Sequence, residues 1–262
     1  MTDLQLPLLI EPDTLEVTMG YDNFLIVDLG KADTYRKLHI PGAVFLDYAQ
    51  IVASKRPVMG LLPDDDTLQR VLSSLGINAD THVVAYDDEG GGRAARLLWT
   101  LEVAGHRHYS LLNGGLHAWA NEDHPCDATP VTPTPSEFQV AHNDAPIASS
   151  DYILERLDTV DTRLLDVRSP DEYKGTRKFA ERAGHIPGAV NFEWTSAMAQ
   201  SLNLRFKPDV ELKQLLADIG IMPDREIIVY CQTHHRSAHT WLVLKHLGFE
   251  RLKGYAGSWS DW

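Results

Sequence analysis

Ile227-Ile228-Val229-Tyr230-Cys231-Gln232-Thr233-His234-His235-Arg236-Ser237 runs near the carboxy end of the chain. Its first four residues are an apolar run, and beyond it Trp241, Leu244, Lys245 and Leu247 follow at three- and four-residue steps. The spacing predicts a buried strand, a tight loop and a helix, with Cys231 at the first loop position. A loop that curls onto a helix N-terminus turns backbone N–H groups inward, and the helix dipole adds partial positive charge there. A thiolate in that cradle has its pKa pulled below the free value of about 8.5, and Arg236 with partly protonated His234 or His235 pulls the same way. The stretch therefore predicts a nucleophilic cysteine at the carboxyl end of a strand, where open α/β sheets hold their ligands.

Outward from this loop the chain repeats itself. His39-Ile40-Pro41-Gly42-Ala43-Val44 returns letter for letter as His185-Ile186-Pro187-Gly188-Ala189-Val190, and Leu75-Gly76-Ile77 is echoed by Ile219-Gly220-Ile221 at a similar offset. Each half opens with a helix start (11–14 and 149–151) and a short apolar strand (24–28 and 164–167), then the hexamer, then a helix closed by glycine (64–75 and 208–219). The first half continues with a strand over 82–86 and helices over 93–104 and 114–120. Strands alternating with helices imply a small, mainly parallel sheet between helices in each half, an α/β class built as a tandem duplication. Between the halves, Asp127-Ala128-Thr129-Pro130-Val131-Thr132-Pro133-Thr134-Pro135 denies both helix and central strand. The expected division is thus 1–126, a linker over 127–136, and 137–262.

Aligned on Tyr86 and Tyr230, the halves place Asp87 opposite Cys231, and Gly90-Gly91-Gly92 opposite the histidines and arginine. Aspartate is no substitute for a soft sulfur nucleophile, so one active loop per chain is expected, with the N-terminal domain inactive and serving as a cover.

Composition narrows the partners. With 262 residues, 44% hydrophobic and 23% charged, the chain has the makings of two ordinary globular domains. A formal net charge of -13 argues against nucleic acid and against anionic membrane surfaces, both of which need clustered Lys and Arg. No signal peptide and no apolar run of about 20 residues is read, so a cytoplasmic protein that does not enter the membrane is expected. Cys126 and Cys231 stand alone and make no disulfide framework, in keeping with a reducing compartment.

Taken together, the duplicated hexamer, the frame Asp166-Val167-Arg168 with Asp171-Glu172-Tyr173 and Gly184-His185, the cysteine loop, and the closing Gly254-Tyr255-Ala256-Gly257-Ser258-Trp259 resemble the two-domain rhodaneses, thiosulfate and mercaptopyruvate sulfurtransferases. The resemblance spans nearly the whole chain, and the loop is most similar to that of bacterial members carrying CQTHHRS. It differs from the Cys-Arg-Lys-Gly form of thiosulfate enzymes and the Cys-Gly-Ser-Gly form of mercaptopyruvate enzymes. The resemblance implies tandem rhodanese-like domains and a ping-pong transfer of sulfane sulfur from thiosulfate to cyanide or a thiol through a persulfide on Cys231. It implies no cofactor, and it admits a cysteine desulfurase as donor and thioredoxin as acceptor. Amides from Gln232, Thr233, His234, His235, Arg236 and Ser237 would hold the intermediate's charge. Arg236 would steady the incoming anion through its two-donor guanidinium, and Arg182 lies where the family places a substrate-binding arginine. A duplicated chain supplies its own domain pairing, so a monomer is expected.

Each of these residues also has a blander reading. An isolated cysteine is more often a small buried hydrophobe, but a strand end before a cationic loop favours chemistry; Cys126 has no such setting. Cys231, His234, His235 and His239 could in principle bind zinc, yet no paired Cys-x-x-Cys exists and Arg236 would place a cation beside the ion, so no metal is expected. Cysteine phosphatases also end a cysteine loop in arginine, but with C-x5-R spacing against C-x4-R here. A mercaptopyruvate sulfurtransferase and a non-catalytic sulfur-binding module complete the alternatives. Asp166, Arg168, His185 and His39 read as structural ties, and Trp194, Trp259 and Trp262 as core or wall.

Overall fold

A computed structural model describes residues 6–262, which fall into two compact units. One comprises the chain up to Ile51, Pro63–Asn143 and Ala199–Arg205; the other comprises Val52–Leu62, Asp144–Met198 and Phe206–Trp262. Two short segments therefore belong to the unit opposite the one their sequence position suggests. Residues 127–143 run without helix or sheet strand, as their prolines require, but are pinned to the first unit. Asp127 pairs with His39, Phe138 is buried, and Ser136, Ala141 and Asn143 donate backbone N–H bonds to Ser73, Ala104 and Val103.

Each unit holds a five-stranded parallel sheet flanked by helices, the expected α/β architecture. In the first the strand order is Leu9–Ile10, Tyr109–Leu112, His82–Tyr86, Phe24–Asp28, Val44–Phe45. In the second it is Val190–Asn191, Thr162–Asp166, Glu226–Tyr230, Leu252–Tyr255, Ile147–Ala148. All five residues of His82–Tyr86 and of Glu226–Tyr230 are buried, because helices cover both faces of a parallel sheet; hence the apolar runs that follow His82 and Glu226. Helix ends follow local chemistry: Asp64 caps Asp65–Ser74 by accepting from the Thr67 amide at 2.7 Å, and Gly76 beyond it takes a φ of +91°.

The duplicated hexamer is a tie between the sheet and its neighbouring helix. In the first unit the Ile40 amide donates to the Tyr86 hydroxyl (3.1 Å), and the Tyr35 hydroxyl donates to the Ala43 carbonyl (2.9 Å). His39 stacks on Tyr35 and bonds its carbonyl through Nδ1. In the second, Ile186 donates to Tyr230 (3.1 Å), Tyr173 donates to Ala189 (2.7 Å), and His185 stacks on Tyr173 in the same manner. Gly42 and Gly188 have φ near +80°, as the third position of a Pro-Gly type II turn demands. The same bonds form in both halves, so the hexamer positions the tyrosine that precedes each loop. Among the described residues no helix is long and apolar enough to cross a membrane.

Candidate active site

Cys231 follows the last residue of the central strand Glu226–Tyr230, and the helix Arg236–His246 begins five residues later. The loop between them is buckled from behind by the closing motif. Ser258 Oγ accepts from the amides of Cys231 (3.2 Å) and His234 (3.1 Å) and donates to the Tyr255 carbonyl (2.7 Å). The amides of Trp259 and Ser260 donate to the carbonyls of Cys231 and Gln232. With these groups engaged outside, the Thr233 and Ser237 amides turn toward the sulfur. His234 adopts φ +56°, a left-handed backbone uncommon for a side-chain-bearing residue and held here by surrounding bonds.

The hairpin Ala53–Lys55 and Val58–Leu61, which belongs to the same unit, rests on the loop. Gly60 (φ +77°) lies so close that a Cβ would fall 2.0 Å from the Thr233 carbonyl oxygen. Ser260 and Met59 fix that approach, the Met59 amide donating to Ser260 Oγ at 2.9 Å.

The thiol of Cys231 is 1% exposed, so the burial of the blander reading is met, but its surroundings are polar. The Ser237 hydroxyl donates to Sγ at 3.4 Å, and His234 Nδ1 is hydrogen-bonded to Ser237 Oγ at 2.7 Å. Burial pushes the thiol pKa up. The Arg236 charge, with bonds from the Ser237 hydroxyl and the Ser237 and Thr233 amides, outweighs it and brings the pKa below the ordinary thiol value. The N-terminus of Arg236–His246 points its dipole the same way. Cys126 has no such help, and burial raises its thiol.

Of the loop residues, His234 and Ser237 are fully buried beneath the sulfur, whereas Gln232, Thr233, His235 and Arg236 are half-buried and form the rim. His235 leans on Trp194, and His239 is wedged between Trp194 and Phe206, while His234 turns away from both to Ser237. Among the described residues no cluster of His, Cys, Asp and Glu is arranged to hold a metal ion. Arg182 is exposed; its carbonyl, which accepts from Trp259 Nε1 at 3.2 Å, is the part tied to the site. Asp166 and Arg168 form a buried ion pair at 2.6 Å, and Arg168 also donates to the Gly184 carbonyl.

Three contributors were not singled out from sequence: Glu172, Ser258 and Gly60. Glu172 grips Arg236 through two bonds, 2.7 and 2.9 Å, and burial, which would raise its pKa, is overcome by that guanidinium and by Ser169, leaving it at about 2. Glu172 and Ser258 lie inside motifs quoted above, which was the available signal. Gly60 carries none.

The first unit's loop is built alike and filled differently. Asp87 is fully buried, and its carboxylate accepts from the amides of Glu89 (3.0 Å), Gly91 (2.8 Å), Arg93 (2.9 Å) and Ala94 (3.0 Å). That cradle closes on its own side chain.

Compared with known proteins, the chain matches the rhodanese-like domain model twice, over residues 11–122 and 149–262, and it belongs to the rhodanese family. Within that family it is 45% identical over 257 residues to the thiosulfate sulfurtransferases of Pseudomonas aeruginosa and of Azotobacter vinelandii, covering 98% of this chain and 94% of each relative. It is 36% identical to the sulfur carrier protein TtuD of Thermus thermophilus, over 97% of this chain and 89% of that protein. Its fold is similar to that of an anaerobic ergothioneine biosynthesis enzyme from Chlorobium limicola, with a TM-score of 0.86 at 23% identity over 97% of this chain and 68% of that one.

Proposed function

We propose that the chain is a thiosulfate sulfurtransferase in which 137–262 carries the chemistry, 1–126 is non-catalytic, and 127–136 links them. The observation that carries the reading is a buried cysteine at the end of the central strand that receives the Ser237 hydroxyl at 3.4 Å and faces the N-terminus of the helix Arg236–His246, with the Arg236 charge lowering its pKa against burial. The Cys231 thiolate attacks the outer sulfur of thiosulfate; that sulfur's bond to the sulfonate breaks, its electron pair leaves on sulfite, and the anionic persulfide remains on Cys231. Cyanide or a thiolate then attacks the outer persulfide sulfur and returns the Cys231 thiolate, so one hard transfer becomes two easier ones. Gln232, Thr233, His235 and Arg236 meet the donor at the rim, His234 and Ser237 steady the sulfur from beneath, and Arg182 receives the anion from the solvent side. No cofactor enters. The named activity of the two 45% identical relatives supports thiosulfate as donor. The same chemistry accommodates a cysteine desulfurase as donor and thioredoxin as acceptor, in a monomer working in the cytoplasm.

Steady-state comparison of thiosulfate, mercaptopyruvate and a neutral persulfide donor tests this. Arg236→Ala is expected to lower kcat/KM for thiosulfate roughly 10- to 100-fold, the loss of one charge-assisted bond, and to spare the neutral donor by comparison. Preferred turnover of mercaptopyruvate, or of an aryl phosphate, would overturn the assignment.

A further inference from the structure

The pair Glu172–Arg236 is more than the fold requires. Glu172 sits in the helix Pro170–Lys174, where Oε2 also completes a capping box with Ser169. Capping uses one carboxylate oxygen, and Oε1 is given to Arg236. The internal repeat supplies a comparison. Counting from Asp28 and Asp166, Glu172 corresponds to Thr34; counting from Tyr86 and Tyr230, Arg236 corresponds to Gly92. The corresponding helix, Ala32–Tyr35, forms with no side-chain cap at all, and Thr34 bonds Asp88 instead. The half whose loop has no cysteine thus lacks both partners of the pair, while its helix, hexamer turn and sheet are intact.

Resting on the sulfurtransferase reading above, we propose that Glu172 is a positioning residue for Cys231: it chelates Arg236 and sets how much of that arginine's positive charge reaches the sulfur and an anionic donor. A guanidinium held by two bonds to a buried carboxylate is fixed in direction and partly neutralised. Arg236 lies close enough to Cys231 to be the leading influence that lowers its pKa. Arg168 also faces Glu172, but its charge is already committed to Asp166 at 2.6 Å. Too little charge on the sulfur leaves a thiol that does not ionise; too much leaves a thiolate that is a weak nucleophile, since nucleophilicity falls as pKa falls.

The test is the pH midpoint of Cys231 alkylation by a neutral reagent in the full chain, read without any sulfur donor, so it decides the role of Glu172 even if the chain moved no sulfur. Glu172→Gln keeps an acceptor but removes the countercharge, and the midpoint is expected to fall by roughly one pH unit. KM for thiosulfate should fall with it, and kcat by about threefold. Ser169→Ala, which removes the cap alone, should leave the midpoint in place. In an Arg236→Ala background Glu172→Gln should add no shift. Glu172→Asp, which keeps the charge but withdraws it, should move the midpoint the same way by less and serves if the glutamine variant fails to fold. An unmoved midpoint, or an equal shift with Arg236 absent, would overturn the assignment and leave Glu172 a helix cap.

Discussion

Asp28 and Asp166 end equivalent strands, yet their charges are handled differently. Asp166 is matched by Arg168, but the residue in that place after Asp28 is Gly30, which offers an amide at 2.6 Å and no cation. Burial therefore prevails over the bonds from Tyr86 and Gly30, and the Asp28 carboxyl is pushed up to about 6. A carboxyl with a raised folded-state pKa stabilises most below its unfolded value of 3.8 and loses that contribution as pH rises through about 6. The difference is worth about 3 kcal/mol at roughly 1.4 kcal/mol per unit. Urea midpoints of the wild type should thus decline across pH 4 to 6 by more than those of Asp28→Asn; parallel curves would contradict the argument. At the same scale, Cys231, Arg236 and Asp87 could be singled out from sequence because a thiol, a guanidinium and a carboxylate differ in elementary chemistry. The partner of Arg236 could not, since nothing in the spacing from 172 to 236 says that a helix cap and a loop arginine meet.

Elements with a strong periodic or apolar signal were legible: Phe24–Asp28 and His82–Tyr86 were read to the residue, and Asp65–Ser74 and Asp209–Asp218 to within one at each end. Short strands such as Leu9–Ile10 and Tyr109–Leu112 were not, because two to four residues carry too little pattern. The hairpin Ala53–Lys55 and Val58–Leu61 was missed for the same reason, and so was its seat on the Thr233 carbonyl, a contact created by the absence of a side chain at Gly60. Gly60→Ala should force Thr233 to move and strain a left-handed backbone position. Activity should fall at least tenfold, with a destabilisation of about 1–3 kcal/mol. Wild-type turnover in that variant would show the hairpin to be incidental to the loop.

At the level of the whole chain, a duplication has produced two cradles of one design with different contents. One closes around the carboxylate of Asp87, which satisfies four amides from within; the other leaves its inward donors for Cys231. The tandem α/β plan was visible in the repeat itself. The exchange of Val52–Leu62 and Ala199–Arg205 between the compact units was not, because sequence order says nothing about which sheet a surface segment packs on. On the function proposed above, one sulfur per chain is the expected consequence. Intact-mass analysis after exposure to excess thiosulfate and desalting should show a single added sulfur, mapped to Cys231 and lost in Cys231→Ser. No addition, addition at Cys126, or an equal gain in the Cys231→Ser variant would contradict the account.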